Sequence, residues 1–282
     1  MYFGVDVSAV QQKIDFVWLK NNGYLFVICR NYVGNDGKDA MCEINLAGAK
    51  AAGLYTAIYN FAYIIPTDPT HPNRDPESQA ILHFNNTPKD EIVCIDIEWP
   101  EPGEDWQKWG IDAAFVNDWV KRYCKKYFEL SGKKVIIYTY PSFAWAAKFD
   151  QEVGQYALWY ADYSNLPVPS PWTDWILMQT SGGNKLTLPN GIPVDVDVAK
   201  NLSLWNVAPE NHPTPTLPPQ IKIAVDPTPP AVVSPLVQQN SSAAQPTNNN
   251  SNNIKIVETI LEALNPFSGL LLTILKKLFH IR

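Results

Sequence analysis

Acidic residues close three of the apolar runs in this 282-residue chain: Asp6 in FGVDVS, Asp96 and Glu98 in IVCIDIEWPEP, and Asp195 and Asp197 in IPVDVDVAKN. Residues two apart on a strand project to the same face with Cα atoms about 6.5 Å apart, so Asp96 shares a side with Glu98 and Asp195 with Asp197. Two same-face acids at the end of an apolar run are costly to bury without a purpose. Carboxyls crowded into a partly desolvated cleft raise one another's pKa, which sets a protonated acid beside an ionised one near neutral pH. Paired acids without metal ligands or a nucleophile–base pair are the equipment of glycoside hydrolysis. The blander reading makes them rim salt bridges, loop caps or ligands of a hard cation such as Mg²⁺ or Ca²⁺. Catalysis is the preferred reading for Asp96 with Glu98, and for Asp6 and Asp195, whose alternative is hydrogen-bond scaffolding. Asp197 reads as structural, and Glu101, Glu104 and Asp105 as a solvated acidic loop.

Composition narrows the chemistry further. The net charge of −6 and the pI near 5.2 exclude a broadly basic surface and so argue against nucleic acid as a partner. Cys29, Cys42, Cys94 and Cys124 form no CxxC pair and sit in apolar or helical segments, as buried thiols do. The four histidines are scattered singly, and there is no G-x-S-x-G or Walker loop. No metal and no cofactor are expected.

The elements that must position the acids are legible as alternating patterns. Strand-like apolar runs recur over residues 3–7, 26–30, 56–62, 92–98, 135–140, 156–162, 175–180 and 194–198, near-continuously apolar as parallel strands covered on both faces are. Helical segments follow the first five. Residues 15–22 and 41–52 end at Gly23 and Gly53, and Asp75-Pro76 opens a third with a cap and a proline at the first turn. Residues 111–130 repeat Phe115, Trp119, Tyr123 and Tyr127 every fourth position, and 141–149 form a short fifth. The later gaps carry Pro167, Pro169, Pro171, Gly182 and Gly183 and read as loops. Five β/α units followed by three strands predict an α/β, TIM-like barrel with an incomplete helical coat over residues 1–205, its site at the C-terminal strand ends.

The ordered pieces GVDVSAVQQKIDF, FVICR, NLAGAKAAGL, AIYNFAY, IDIEW, VIIYT, ALWYADY and VDVDV resemble the family 25 glycoside hydrolases, the lysozyme (N-acetylmuramidase) family of bacteria and many bacteriophages. The resemblance covers about residues 2–205. It implies a five-helix, eight-strand barrel that cleaves the β-1,4 bond between N-acetylmuramic acid and N-acetylglucosamine in peptidoglycan. By position, Glu98 resembles the family's general acid, and Asp6, Asp96 and Asp195 its other site carboxylates. The second step is open between a carboxylate and the substrate's own N-acetyl oxygen; substrate assistance, with Asp96 orienting the acetamido group, is favoured. Two departures stand out. Asn60 replaces a frequent His, and MQTS at 178–181 replaces WQYS, so the platform for the sugar is expected to differ. A non-catalytic glycan-gripping barrel of a virion and a hydrolase of chitin-like glycans are the rival readings.

Sugar rings present apolar C–H faces that aromatic rings can hold. Tyr59, Tyr138 and Trp159 are the candidates, at strand positions matching the family's cleft aromatics. Arg30, at a strand end, either pairs with a site acid or caps the barrel. After Trp205, ten prolines and the tract NSSAAQPTNNNSNN mark residues 206–253 as an extended, disordered linker. Residues 254–282 pattern as an amphipathic helix with a basic end. Such a segment would lie on a membrane surface, associate with itself or a virion protein, or fold back on the barrel. The opening MYFGVDVSAV has neither a basic region nor a long apolar one, which predicts a chain made in the host cytoplasm without a signal peptide. Its place of action is then the bacterial cell wall, as a lytic enzyme or a virion part.

Overall fold

In a computed structural model, residues 1–67, 72–99, 110–163 and 165–205 are described, with only the backbone of 181–185. The linker and tail expected over 206–253 and 254–282 lie outside the described residues, as do Glu101, Glu104 and Asp105. Strands β1 (Tyr2–Val7), β2 (Tyr24–Val33), β3 (Gly37–Lys38), β4 (Tyr55–Phe61), β5 (Ile92–Asp96), β6 (Ile136–Thr139), β7 (Ala157–Ala161), β8 (Leu177–Thr187) and β9 (Pro193–Ala199) form one sheet. It closes through the pairing of β1 with β2, so eight strands make a barrel and β3 hangs on the end of β2.

The coat consists of α1 (Phe16–Asn21), α2 (Cys42–Ala51), α3 (Pro76–Asn85), α4 (Ala113–Ser131) and α5 (Pro141–Ala147). Their ends follow the local chemistry. Asp15, Asp75 and Asp112 each accept a backbone N–H in the first turn of α1, α3 and α4, at 2.8, 2.9 and 2.8 Å. Gly132 stops α4 at φ +69°, a left-handed turn that a side chain would strain. The four-residue aromatic repeat of α4 faces the barrel: Trp119 stacks on Tyr123 at 5.5 Å and Tyr123 on Tyr127 at 6.1 Å.

The expectation of parallel strands holds for the barrel strands β1, β2 and β4 through β8, each lying parallel to its neighbour in that series. It fails for β9, which runs antiparallel to both β8 and β1. The reason is length. The turn from β8 to β9 is closed by Gly191 N–H to Leu188 O at 2.8 Å and Leu188 N–H to Ile192 O at 2.9 Å, too short for a parallel crossover. The small strand β3, a hairpin off β2, has no apolar pattern that would reveal it.

Two cores result. The larger lies between barrel and helices, and all four cysteines are buried as free thiols. The smaller fills the barrel interior with Phe26, Ile28, Ala57, Cys94, Ile136, Leu177 and Ala199 under Tyr59, Tyr138 and Trp159. Trp205 closes the lower end: its ring lies 5.0 Å from Phe26 and its indole N–H donates to Thr56 O at 2.8 Å. Gly4 faces this interior, where a Cβ would stand 2.3 Å from the ring of the fully buried Phe26. Gly4→Ala is therefore expected to destabilise the barrel by about 1–3 kcal/mol, the usual cost of overpacking. A thermal melt checks it, and an unchanged Tm would show that the Phe26 ring is free to move.

Candidate active site

At the upper end of the interior, strand alternation turns polar. Asp6 on β1, Tyr59 on β4, Asp96 at the end of β5, Tyr138 on β6, Trp159 on β7, Gln179 on β8 and Asp195 on β9 line a cleft of about 240 Å³ together with Glu98 and Tyr163. All seven predicted residues thus share one site. Glu98 lies two residues past β5 instead of within it, so its side chain reaches the cleft from the β5–α4 connection. Asp6 and Asp195 are directly opposed across the β1–β9 pairing.

The acids are crowded and dry. Burial pushes Glu98 from its ordinary 4.5 up to about 7, helped by the charge of Asp6. Burial likewise lifts Asp6 to about 6, against the Gln179 amide, Asp197 and the field of Arg30. Asp96 is held well above the usual carboxylate range by desolvation, then by the charges of Glu98 and Asp6. Its Oδ1 is buried and meets no hydrogen-bond donor among the described residues, so it is poised to receive one from a ligand. Arg30 does not bind a site acid directly. Its Nε donates to Asp39 at 2.8 Å, and Asp39 also accepts the Ala9 and Met41 amides at 2.9 Å each.

Gln179 ties the cleft together, and sequence reading passed it over. Its Nε2 donates to Asp6 Oδ2 at 2.6 Å, while its Oε1 accepts from Tyr138 at 3.0 Å and from Tyr163. Its one sequence signal is the Q shared by MQTS and WQYS. Two of the departing positions fall behind the sheet. Asn60 is fully buried on the outer side of β4, accepting from Asn31 at 3.2 Å, and Met178 packs in the outer core. Neither Asn60 nor Met178 lines the cleft.

The aromatic candidates form the floor. Trp159 meets Tyr138 at 4.7 Å and Tyr59 at 6.0 Å, both edge-on. They are only 2, 7 and 9% exposed, respectively for Trp159, Tyr138 and Tyr59, and so offer edges and hydroxyls more than open faces. Tyr163, at 49%, is the open ring beside them.

Residues 5–186 match the model of glycosyl hydrolases family 25, and the chain belongs to that family. It is a glycoside hydrolase by that membership. An N,O-diacetylmuramidase of Chalaropsis sp is 25% identical over 143 residues, 49% of this chain and 66% of the relative. The bacterial lysozyme of Streptomyces coelicolor superposes with a TM-score of 0.62 at 22% identity, over 73% of this chain and 98% of its own. A muramidase from Trichobolus zukalii gives 0.60 at 21% identity, over 71% and 94%. These structures share the fold.

Raised carboxyl pKa values carry a stability consequence of definite sign. Between about pH 4 and 7 the folded protein binds more protons at Glu98 and Asp6 than the unfolded chain, so stability is full at the acid end and falls as pH rises through about 6 and 7. The Tm is expected to climb as pH falls from 8 to 5, over the range about 4–8 in which these groups titrate. Glu98→Gln should raise the Tm at the alkaline end and change it little at the acid end. Equal shifts at both ends would show that Glu98 carries no such penalty.

Proposed function

We propose that this chain hydrolyses the β-1,4 bond between N-acetylmuramic acid and N-acetylglucosamine of bacterial peptidoglycan, with Glu98 as general acid. The observation that carries the reading is a half-buried Glu98 whose proton is retained to about pH 7 beside Asp6 and Asp96, in a family 25 glycoside hydrolase. The muramidase and lysozyme names of its relatives support the choice of glycan.

In this reading the Glu98 O–H protonates the glycosidic oxygen as the C1–O bond breaks. The acetamido carbonyl oxygen of the same sugar closes on C1 and carries the positive charge as an oxazolinium. Asp96 is the acceptor for the acetamido N–H, which would satisfy its otherwise unpartnered Oδ1. Glu98, now a carboxylate, takes a proton from water as that water opens the ring at C1. Asp6 and Asp195 supply negative potential next to the developing cation, and Gln179 holds Asp6 in place. The ring of Tyr163 and the edges of Tyr59, Tyr138 and Trp159 seat the sugars. Residues 206–282 serve as tether and attachment segment and take no part in the chemistry. The cell wall is the place of action.

Mass spectrometry of fragments released from purified peptidoglycan tests the assignment. Wild type is expected to yield new reducing-end muramic acid, and Glu98→Gln to lose about 10²–10⁴ in kcat, the usual worth of a general acid. Reducing-end N-acetylglucosamine, or activity on chitin-like glycan alone, would overturn the bond specificity. Binding without release by the wild type would make the barrel a glycan-gripping part. Activity of the wild type should fall as pH rises through about 7, where Glu98 loses its proton. Deleting residues 206–282 should leave hydrolysis of soluble glycan intact, and a large loss there would sink the tether assignment.

A further inference from the structure

Asp197 is fully buried on the inner side of β9 and does not line the cleft. Its Oδ1 accepts the Trp159 indole N–H at 2.8 Å. Its Oδ2 is equally buried and meets no donor among the described residues. Yet its carboxyl lies within hydrogen-bonding contact of the Asp6 carboxyl. Two carboxylates cannot hydrogen-bond without a proton between them, and ionised together in a dry interior they would repel with nothing to offset it.

The other titratable groups that face Asp197 are Asp195, Tyr163 and Cys94, and none is a cation. Arg30, whose field does reach Asp6, is engaged by Asp39. A proton shared with Asp6 supplies the missing donor. The asymmetry of the pair decides which partner holds it. Asp6 opens on the cleft, accepts the Gln179 amide and feels Arg30, all of which favour its charged form. Asp197 has one neutral donor and no access to water, and burial holds it protonated well above the ordinary carboxylate range.

We propose that Asp197 is a positioning residue that works as a neutral carboxylic acid, donating its O–H to Asp6 and thereby holding Asp6 in place as a carboxylate facing the substrate. This rests on the reading of Asp6 as a working carboxylate of the cleft. The two oxygens of Asp197 then have different tasks, Oδ1 accepting from Trp159 and Oδ2 donating to Asp6. An asparagine can copy both, with its carbonyl toward Trp159 and its amide toward Asp6.

The full chain, labelled with ¹³C at the aspartate carboxyls and free of substrate, is titrated by NMR. Besides Asp96, which is also held well above the usual carboxylate range, one further carboxyl signal is expected to remain protonated at about pH 7 and to vanish in Asp197→Asn. If no protonated aspartate signal is lost in Asp197→Asn, the proposal is overturned. Kinetics on peptidoglycan give the second arm. Asp197→Val removes the donor, and is expected to lower kcat about tenfold or more and move the acid limb of the pH profile up by about one unit, with KM little changed. Asp197→Asn should restore the profile and bring kcat to within about threefold of the wild type. If Asp197 instead works as an anion, Asp197→Asn removes a charge beside Asp6 and the acid limb moves down, which refutes the proposal. Should Asp197→Val fail to fold, the NMR titration and the asparagine variant still decide. An inactive wild type with the protonated signal present would strike the glycosidase reading and leave the proton assignment standing.

Discussion

Everything at the upper end of this barrel depends on keeping several carboxyls together in a space that water barely enters. Asp6, Asp96, Glu98, Asp195 and Asp197 come from three strands and one strand end, and Arg30, a cation whose field reaches Asp6 and Asp96, spends its Nε on Asp39. Charge neutralisation by ion pairing is therefore not the solution the fold adopts. It uses neutral donors instead: the Gln179 amide on Asp6 and the Trp159 indole on Asp197. Neutral donors orient a carboxyl without discharging it, so the excess negative potential persists and is relieved by retained protons. A proton retained on Glu98 is what an acid catalyst near neutral pH requires.

The barrel geometry makes this crowding possible. Strand alternation assigns every second residue to the interior, and the interior divides along its axis. Below, Phe26, Ile28, Leu177 and Trp205 pack a dry plug; above, the same strands turn to Asp6, Tyr59, Tyr138, Gln179 and Asp195. The aromatic layer of Tyr59, Tyr138 and Trp159 sits between the two. It is apolar enough to seal the plug and carries hydroxyls and an indole N–H to satisfy the acids above it. A mobile or hydrated floor would let water screen the carboxyls and return their pKa values toward ordinary ones.

The parts legible in the sequence were those with strong local signals. Eight apolar runs, glycine stops and the aspartate cap at Asp75 revealed the barrel strands and the five helices to within a few residues, except that β8 runs on to Thr187, seven residues past its apolar run. The five strand-end acids and the three ring residues stood at positions where alternation could place them together. What escaped had no local signature. The antiparallel course of β9 follows from a short turn at Gly191, and apolar content does not encode strand direction. Gln179 and Tyr163 act through contacts more than a dozen residues away along the chain, with Asp6 and with each other. The side on which Asn60 and Met178 fall requires the register, since a one-residue shift moves a side chain from cleft to coat.

Register also explains why two acids on one strand take different tasks. Asp195 and Asp197 alternate onto the same inner face of β9, so pattern alone treats them as equivalent. The β1–β9 pairing separates them: Asp195 stands opposite Asp6 at the cleft, while Asp197 stands opposite Gly4, one step deeper. Gly4 offers no side chain to that level, and Asp197 reaches Trp159 and Asp6 in a space closed to water. Depth in the barrel, more than residue type, separates the surroundings of these two acids. The shallow acids meet solvent and substrate, whereas the deep one is confined to hydrogen bonding within the protein.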